Sequence, residues 1–346
     1  MGNKKHLLVI RLSAMGDVAM TVPVLKSLLD SYPDLKITVL TKEFLKPIFE
    51  GLDKVTVHVA DVADTHKGIS GLWKLYKELQ PLQLDAVADL HNVLRSNILK
   101  QFFRLGGIPF AQIDKGRKEK KALTAEKNKV FAPLQSTHQR YVAVFDQLGY
   151  PFSLSEANFL EKRILSDKTL GIVGKNTRKW LGIAPFAAFS GKMYPLQLMQ
   201  EVVQKLNNTN KYKIFLFGGG TKEKELLELW ENDCQECINI VDKLSFDEEL
   251  ALISNLDLML SMDSGNAHLA AMYGIPIITL WGVTHPYAGF YPYGQDFDNA
   301  LLSDRSSFPL IPTSIYGNKA PKGYEKVMET IDPNTILNKV DQLLNK

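Results

Sequence analysis

The stretch from Leu256 to Trp281 most constrains what this chain can fold into. An apolar run, Leu256 to Leu260, is followed by Ser261-Met262-Asp263-Ser264-Gly265-Asn266-Ala267-His268. A helical run then closes at Gly274 and Pro276, and a second apolar run, Ile277 to Trp281, follows. Short apolar runs on either side of a helix-length segment with a glycine and proline stop read as strand, tight turn, helix and parallel strand. Asp263 and Ser264 suit the N-cap, and Gly265 lets a ligand or backbone come close. Free N–H groups at such a helix start suit a diphosphate. His268 would lie on the first turn. Taken singly, Asp263-Ser264 reads as a plain cap and His268 as an ordinary surface residue. Together, at the carboxyl end of a strand, the four residues Asp263, Ser264, Gly265 and His268 read as a site.

The same alternation runs through the rest of the chain. His6 to Leu12 reads as a first buried strand, Ser13-Ala14-Met15-Gly16-Asp17 as a turn, and Val18 to Ser31 as a helix. Lys36–Thr41, Val55–Val59 and Leu84–Leu90 are further strands, with a helix over Gly71–Leu79. After a polar, irregular segment, Ser153 to Gly174, the pattern restarts at Trp180–Pro185 and continues through Tyr212–Phe217. Repeated alternation predicts an α/β protein with parallel sheets. Its 346 residues suffice for two Rossmann-like domains, and 45% hydrophobic with 23% charged residues is a globular balance. The first turn lacks G-x-G-x-x-G, which argues against NAD. A net charge of +3 gives no argument for nucleic acid. No apolar segment reaches membrane-spanning length and the N-terminus carries no signal-peptide core, so a cytoplasmic protein is expected.

Several residues allow two readings. Asp17 is either a first-turn carboxylate favouring its helix or a general base at the mouth of a ligand cleft. Arg11 and Arg95 are anion contacts or partners for Asp17 and Asp89. The basic run Lys115, Arg117, Lys118, Lys120, Lys121, Lys127 and Lys129 is either a solvated, mobile loop or a patch for an acidic acceptor or an anionic membrane surface. Aromatics are missing from that run, so stacking on single-stranded nucleic acid is not supported. Lys192, in a glycine-bearing loop between strand and helix, is a solvated loop lysine or a diphosphate contact, and its setting favours the second. Glu223 is a helix first-turn carboxylate or an acceptor for ribose hydroxyls. Cys234 and Cys237 form a lone C-x-x-C without further metal ligands nearby, which favours a loop or helix end over a metal or redox site.

I-R-L-S-A-M-G-D-V, P-F-A-A-F-S-G-K-M-Y-P, G-G-G-T-K-E and M-D-S-G-N-A-H-L-A-A-x-x-G-I-P followed by L-W-G resemble glycosyltransferase family nine in the family's order. This is the family of lipopolysaccharide heptosyltransferases. The resemblance implies a GT-B architecture with two Rossmann-like domains facing across a cleft. Residues 1–165 would bind the acceptor and 175–330 the nucleotide-sugar donor, with 331–346 a helix packing back on the N-terminal domain. It implies inverting transfer from an ADP-heptose to a lipid A–Kdo type glycolipid, with the ADP-sugar as co-substrate and no essential metal. Asp17 falls at the family's base. Lys192, Glu223, Leu244, Asp263, Ser264, Gly265 and His268 fall on its donor contacts. Ser13, Gly16, Arg95, Lys115, Arg117 and Lys118 fall where the acceptor binds. A peripheral contact with the inner face of the cytoplasmic membrane is left open.

The chain departs from the family pattern at Ala187 and Ala188, where Thr or Ser is usual. It departs again at Lys192-Met193-Tyr194-Pro195, where the family has Lys-x-Trp-Pro, and at His285, where G-P-T-D-P supplies a carboxylate. The alternatives are an epimerase or hydrolase of sugar nucleotides on the same scaffold, or a nucleotide-binding relative that has lost transfer.

Overall fold

The computed structural model describes residues 5–155, 157–174 and 177–345. It divides into two units, 1–115 with 136–160 and 116–135 with 161–346. The first holds a five-stranded parallel sheet built from β1 (His6–Ile10), β2 (Lys36–Thr41), β3 (Val55–Val59), β4 (Ala86–Asp89) and β5 (Phe110–Gln112). Its order is β3-β2-β1-β4-β5. Leu7 to Ile10 are wholly buried, as expected of a central strand covered on both faces. The second unit holds β6 (Lys179–Ala184), β7 (Tyr212–Leu216), β8 (Cys237–Asn239), β9 (Leu258–Met262), β10 (Ile277–Trp281) and β11 (Ala300–Leu302). Their order is β11-β10-β9-β6-β7-β8, and all pairs are parallel. Both are Rossmann-like sheets of the GT-B class. In each, the order reverses beside the unit's first strand, between β1 and β4 and between β6 and β9. Open parallel sheets bind ligands beyond the strand ends at such a reversal.

Several expectations change. The single helix expected over Val18–Ser31 is two, Met15–Ala19 and Thr21–Ser31. Pro23 explains the break, since it cannot donate to the Ala19 carbonyl and its ring crowds that carbonyl. The segment expected to be irregular contains a helix, Asp167–Val173, capped by Ser166. The last helix, Pro333–Leu344, belongs to the second unit. Ile336, Val340 and Leu344 belong to the second unit's core, and the helix packs on Leu196–Asn208. The basic run is not a loose loop either. Arg117–Leu123 is helical and belongs with the second unit. Lys129 Nζ donates to the Leu123 and Pro312 carbonyls at 2.9 and 2.8 Å, and Lys120 stands 4.3 Å over the Phe290 ring.

Candidate functional site

The first unit gathers charge at the carboxyl ends of β1 and β4. Arg11 follows β1 and is buried. It donates to the Leu90 carbonyl at 2.6 Å and pairs with Asp17 Oδ2. Burial works against its charge, but Tyr141, Asp17 and Asp89 more than offset it and hold the guanidinium above its ordinary value. Asp17 lies on the first turn of Met15–Ala19. Both readings of it survive, because a first-turn carboxylate here also stands at the sheet's reversal. Its Oδ2 is taken by Arg11, and its side chain is 28% exposed against 8% for Arg11. Tyr141 braces the same turn by donating to the Asp17 carbonyl at 3.2 Å.

Asp89, at the end of β4, is a structural group. Its Oδ1 accepts from the His91 and Asn92 amides at 2.9 Å each, and its Oδ2 from Gln112 at 2.8 Å. That turn delivers His91, which the sequence reading passed over. The Leu12 amide donates to His91 Nδ1 at 3.4 Å, leaving Nε2 to carry the ring proton. Burial first, then the charges of Arg11, Lys115 and Arg95, push its pKa down to about 3. The ring is therefore a neutral donor amid cations, a setting suited to an anionic ligand. Arg95 is exposed on the first turn of Leu94–Leu105, and Ser13 and Gly16 lie in the turn after β1. Of the expected acceptor residues, Lys115 closes the first unit's segment, whereas Arg117 and Lys118 belong to the second.

The second unit places its candidate residues along one edge. Leu244 follows β8, Glu223 follows β7, Lys192 follows β6 and Asp263–His268 follow β9. Strands stand about 4.8 Å apart, so this row spans about 14 Å. Lys192 Nζ pairs with Asp263 Oδ2 at 2.9 Å, and Thr284 Oγ1 donates to the same oxygen at 2.9 Å. Asp263 is thus a holder of Lys192 rather than a cap or a phosphate contact, since a carboxylate repels a diphosphate. Ser264 occupies the N-cap of Gly265–Ala271, but its hydroxyl meets Ser261 Oγ at 3.0 Å and does not cap. His268 is 8% exposed, which excludes the surface-residue reading. Glu223 Oε2 accepts from the Gly219 amide at 2.7 Å, closing the glycine turn, and Leu244 is buried.

Three glycines shape the Lys192 loop: Gly191 and Gly282, which lie in the motifs quoted above, and Gly317, which carried no sequence signal. A Cβ at Gly191 would strike Val283 and the Gly317 carbonyl, and one at Gly282 would strike the Gly191 carbonyl and Met328. Gly317 has φ +83° and lies against the Lys192 stem. The His285 departure also has a structural job. Its Nδ1 accepts from the Tyr287 amide at 3.1 Å and caps the turn Pro286–Ala288, as a carboxylate would. Burial and then Arg305 lower its pKa to about 4. Nothing in the structure explains Ala188. Cys234 and Cys237 are free, buried thiols at a helix end and strand start, both pushed up by burial, which suits neither redox nor metal chemistry.

A sequence model of glycosyltransferase family 9 (heptosyltransferase) matches residues 72–309. That is well over half of the 346 residues, and the chain belongs to this family. It is a glycosyltransferase. It is 27% identical over 336 residues to the lipopolysaccharide core heptosyltransferase OpsX of Haemophilus influenzae, covering 93% of this chain and 88% of that protein. The crystal structure of a family 9 glycosyl transferase from Veillonella parvula shares the fold, with a TM-score of 0.77 at 21% identity, covering 99% of this chain and 98% of that one. The E. coli heptosyltransferase WaaC with ADP aligns with a TM-score of 0.68 at 18% identity, covering 98% and 99%.

Two predictions follow from these contacts. Gly317→Ala strains a left-handed residue and displaces the Lys192 stem. It should weaken nucleotide binding by about tenfold or more in calorimetric titration while Gly323→Ala, also at positive φ but with open space around its Cβ, leaves binding unchanged. The folded-state value of His285 lies below its ordinary 6.5. Below about pH 6.5 the unfolded chain therefore takes up a proton that the folded chain refuses until about pH 4, and stability falls across that window. His285→Asn keeps a capping side chain but cannot titrate, so its loss of denaturant midpoint between pH 7 and 4.5 should be smaller than the wild type's.

Proposed function

We propose that this protein transfers a heptose from ADP-heptose to a lipopolysaccharide core acceptor of the lipid A–Kdo type, with inversion at the anomeric carbon. The observation that carries the proposal is the row Leu244, Glu223, Lys192 and Asp263–His268 on adjacent strand ends. A nucleoside diphosphate laid along that edge has an apolar seat for its base at Leu244. Glu223 serves the ribose, and Lys192 meets the diphosphate at the sheet's reversal. Relatives support the sugar and the nucleotide: OpsX is named for lipopolysaccharide core heptosyl transfer, and WaaC was solved with ADP.

On the first unit, Asp17 Oδ1 accepts the proton of the acceptor hydroxyl while the hydroxyl oxygen attacks the anomeric carbon. The bond from that carbon to the diphosphate oxygen breaks, and ADP leaves with the electron pair. Lys192, the first-turn amides of Gly265–Ala271 and His268 stabilise the charge that builds on the diphosphate. These groups stand in for a metal, so the reaction is proposed to need none. Arg11 keeps Asp17 oriented, and Arg95 and Lys115 draw in acceptor phosphates. With a lipid A–Kdo acceptor, the enzyme works at the inner face of the cytoplasmic membrane.

Base and donor contacts lie on different units, so they can be tested apart. In a thermal-shift titration, ADP should raise the midpoint by the equivalent of about 2.7 kcal/mol at a hundredfold excess over Kd, while UDP, GDP and NAD leave it unchanged. A shift with UDP or GDP alone would discard heptose, no shift at all would remove the donor row, and an ADP shift without consumption of any donor would point to a nucleotide-binding relative that has lost transfer. Asp17→Asn should leave the ADP shift intact and lower transfer about 10²–10⁴-fold. Near-normal turnover would remove Asp17 as base, and donor consumption without acceptor would indicate an epimerase or hydrolase.

A further inference from the structure

The first unit carries an apolar surface that its own core covers only in part: Ile98 and Phe102 pack partly against the core, while their neighbours stay exposed. The helix Leu94–Leu105 buries Ser96, Leu99 and Phe103. With 3.6 residues per turn, Leu94, Ile98, Gln101, Phe102 and Leu105 share the opposite, outward face. A solvated face should be polar, yet Leu94 is 77% and Leu105 85% exposed. The neighbouring helix, Gly68–Leu79, extends the surface. Its Ile69 and Trp73, four residues apart, are 68% and 44% exposed. Trp73 joins the two helices through an edge contact with Phe102 at 4.9 Å.

Cations border this face. The exposed charges of the two helices are Lys74, Lys77, Arg95 and Arg104 against Glu78, whose Oε2 is already engaged by His58 and His66. Lys77 Nζ stands 5.0 Å over the Trp73 ring. Tryptophan and aliphatic side chains ringed by lysine and arginine fit the boundary between anionic headgroups and acyl chains. The helix also ends where the acceptor is needed. Leu94 adjoins Arg95, whose charge reaches His91 beside Arg11 and Asp17.

We propose that the exposed Ile69, Trp73, Leu94 and Leu105, with the partly covered Ile98 and Phe102 between them, form the surface by which this enzyme rests on an anionic lipid bilayer, with Lys74, Lys77 and Arg104 at the headgroups. The proposal builds on the lipid-linked acceptor argued above. An acceptor sugar at Asp17 stays joined to acyl chains in the membrane, so the lipid-facing surface must lie close to the acceptor end of the first unit. The basic run 115–129, where sequence alone would put this contact, has Lys120 and Lys129 engaged in its own unit.

The test is sedimentation of the full chain with vesicles of phosphatidylglycerol and phosphatidylethanolamine, beside vesicles of phosphatidylcholine. The wild type should bind the anionic vesicles. Ile69→Ser with Leu105→Ser, both at exposed positions, should weaken binding about tenfold or more. Lys74→Glu with Lys77→Glu should abolish the preference for anionic lipid. Brominated lipid should quench Trp73 fluorescence, and Trp73→Phe should lose the quenching while still binding. No sedimentation of the wild type, or equal sedimentation of the double serine variant, would overturn the proposal. So would a dimer in sedimentation velocity that the serine variant dissociates without any vesicle binding, which would assign the face to a second copy. The ADP shift reports the donor site separately. Should ADP fail to bind while these variants still lose vesicle binding, the donor reading falls and the membrane surface stands.

Discussion

The candidate site of the second unit depends on one largely buried ion pair, Lys192 with Asp263, at the reversal of its sheet. A loose lysine would spread its charge over many rotamers and pay that entropy again on meeting a ligand. Asp263 removes the freedom beforehand, and Thr284 fixes Asp263 in turn. The carboxylate cancels much of the lysine's long-range field. What it supplies is position: an ammonium already set at the strand ends, in surroundings that screen it weakly. Gly191, Gly282 and Gly317 serve the same end, letting three loops approach closely enough to shape the lysine stem.

The first unit uses the same device with the roles exchanged. Arg11 and Asp17 also pair at a sheet reversal. Exposure tells which partner works and which one holds. In the second unit the cation is the more exposed member, 16% against 7%, and the buried carboxylate holds it. In the first unit the carboxylate is the more exposed, 28% against 8%, and the buried guanidinium holds it. A phosphate-facing group must be cationic and a proton-accepting group anionic. The same fold can therefore present either by choosing which member of the pair to bury.

Much of the fold was legible because buried parallel strands are short apolar runs between turn signals. Helices with one polar face announced themselves by spacing. Leu94–Leu105 was harder to read, since it has apolar residues on its core side and also at Leu94 and Leu105, which are left exposed. Asp17, Lys192 and Asp263–His268 were legible because each follows a strand in a turn with glycine. Asp263's task was not, because Thr284 and Lys192 reach it from distant loops. His91 was hidden for a similar reason: what makes it a neutral donor is Leu12 and three cations, of which only Arg95 is near it in sequence. The basic run misled because charge alone does not reveal which lysines have carbonyls and rings to engage.

That run also bears on the missing carboxylate at His285. The strap that ends it carries Phe131, whose ring lies 5.0 Å from His285 and 4.9 Å from Tyr287. Leu134 donates its amide to the Tyr287 carbonyl at 2.9 Å, pinning the strap to this loop. An aspartate at position 285 could cap the turn as His285 does, and would also offer a charge to Arg305 nearby. With a neutral imidazole there, Arg305 lies instead over the Phe131 face, its guanidinium carbon 3.4 Å from the ring centre, and donates to the Ile311 carbonyl at 3.0 Å. A cation over an aromatic face recovers part of the stabilisation that a carboxylate would give. His285, the strap and Arg305 thus pack as one group across three segments. Returning the carboxylate alone would place a charge among the Phe131 and Tyr287 rings, so position 285 cannot be read apart from the strap packed against it.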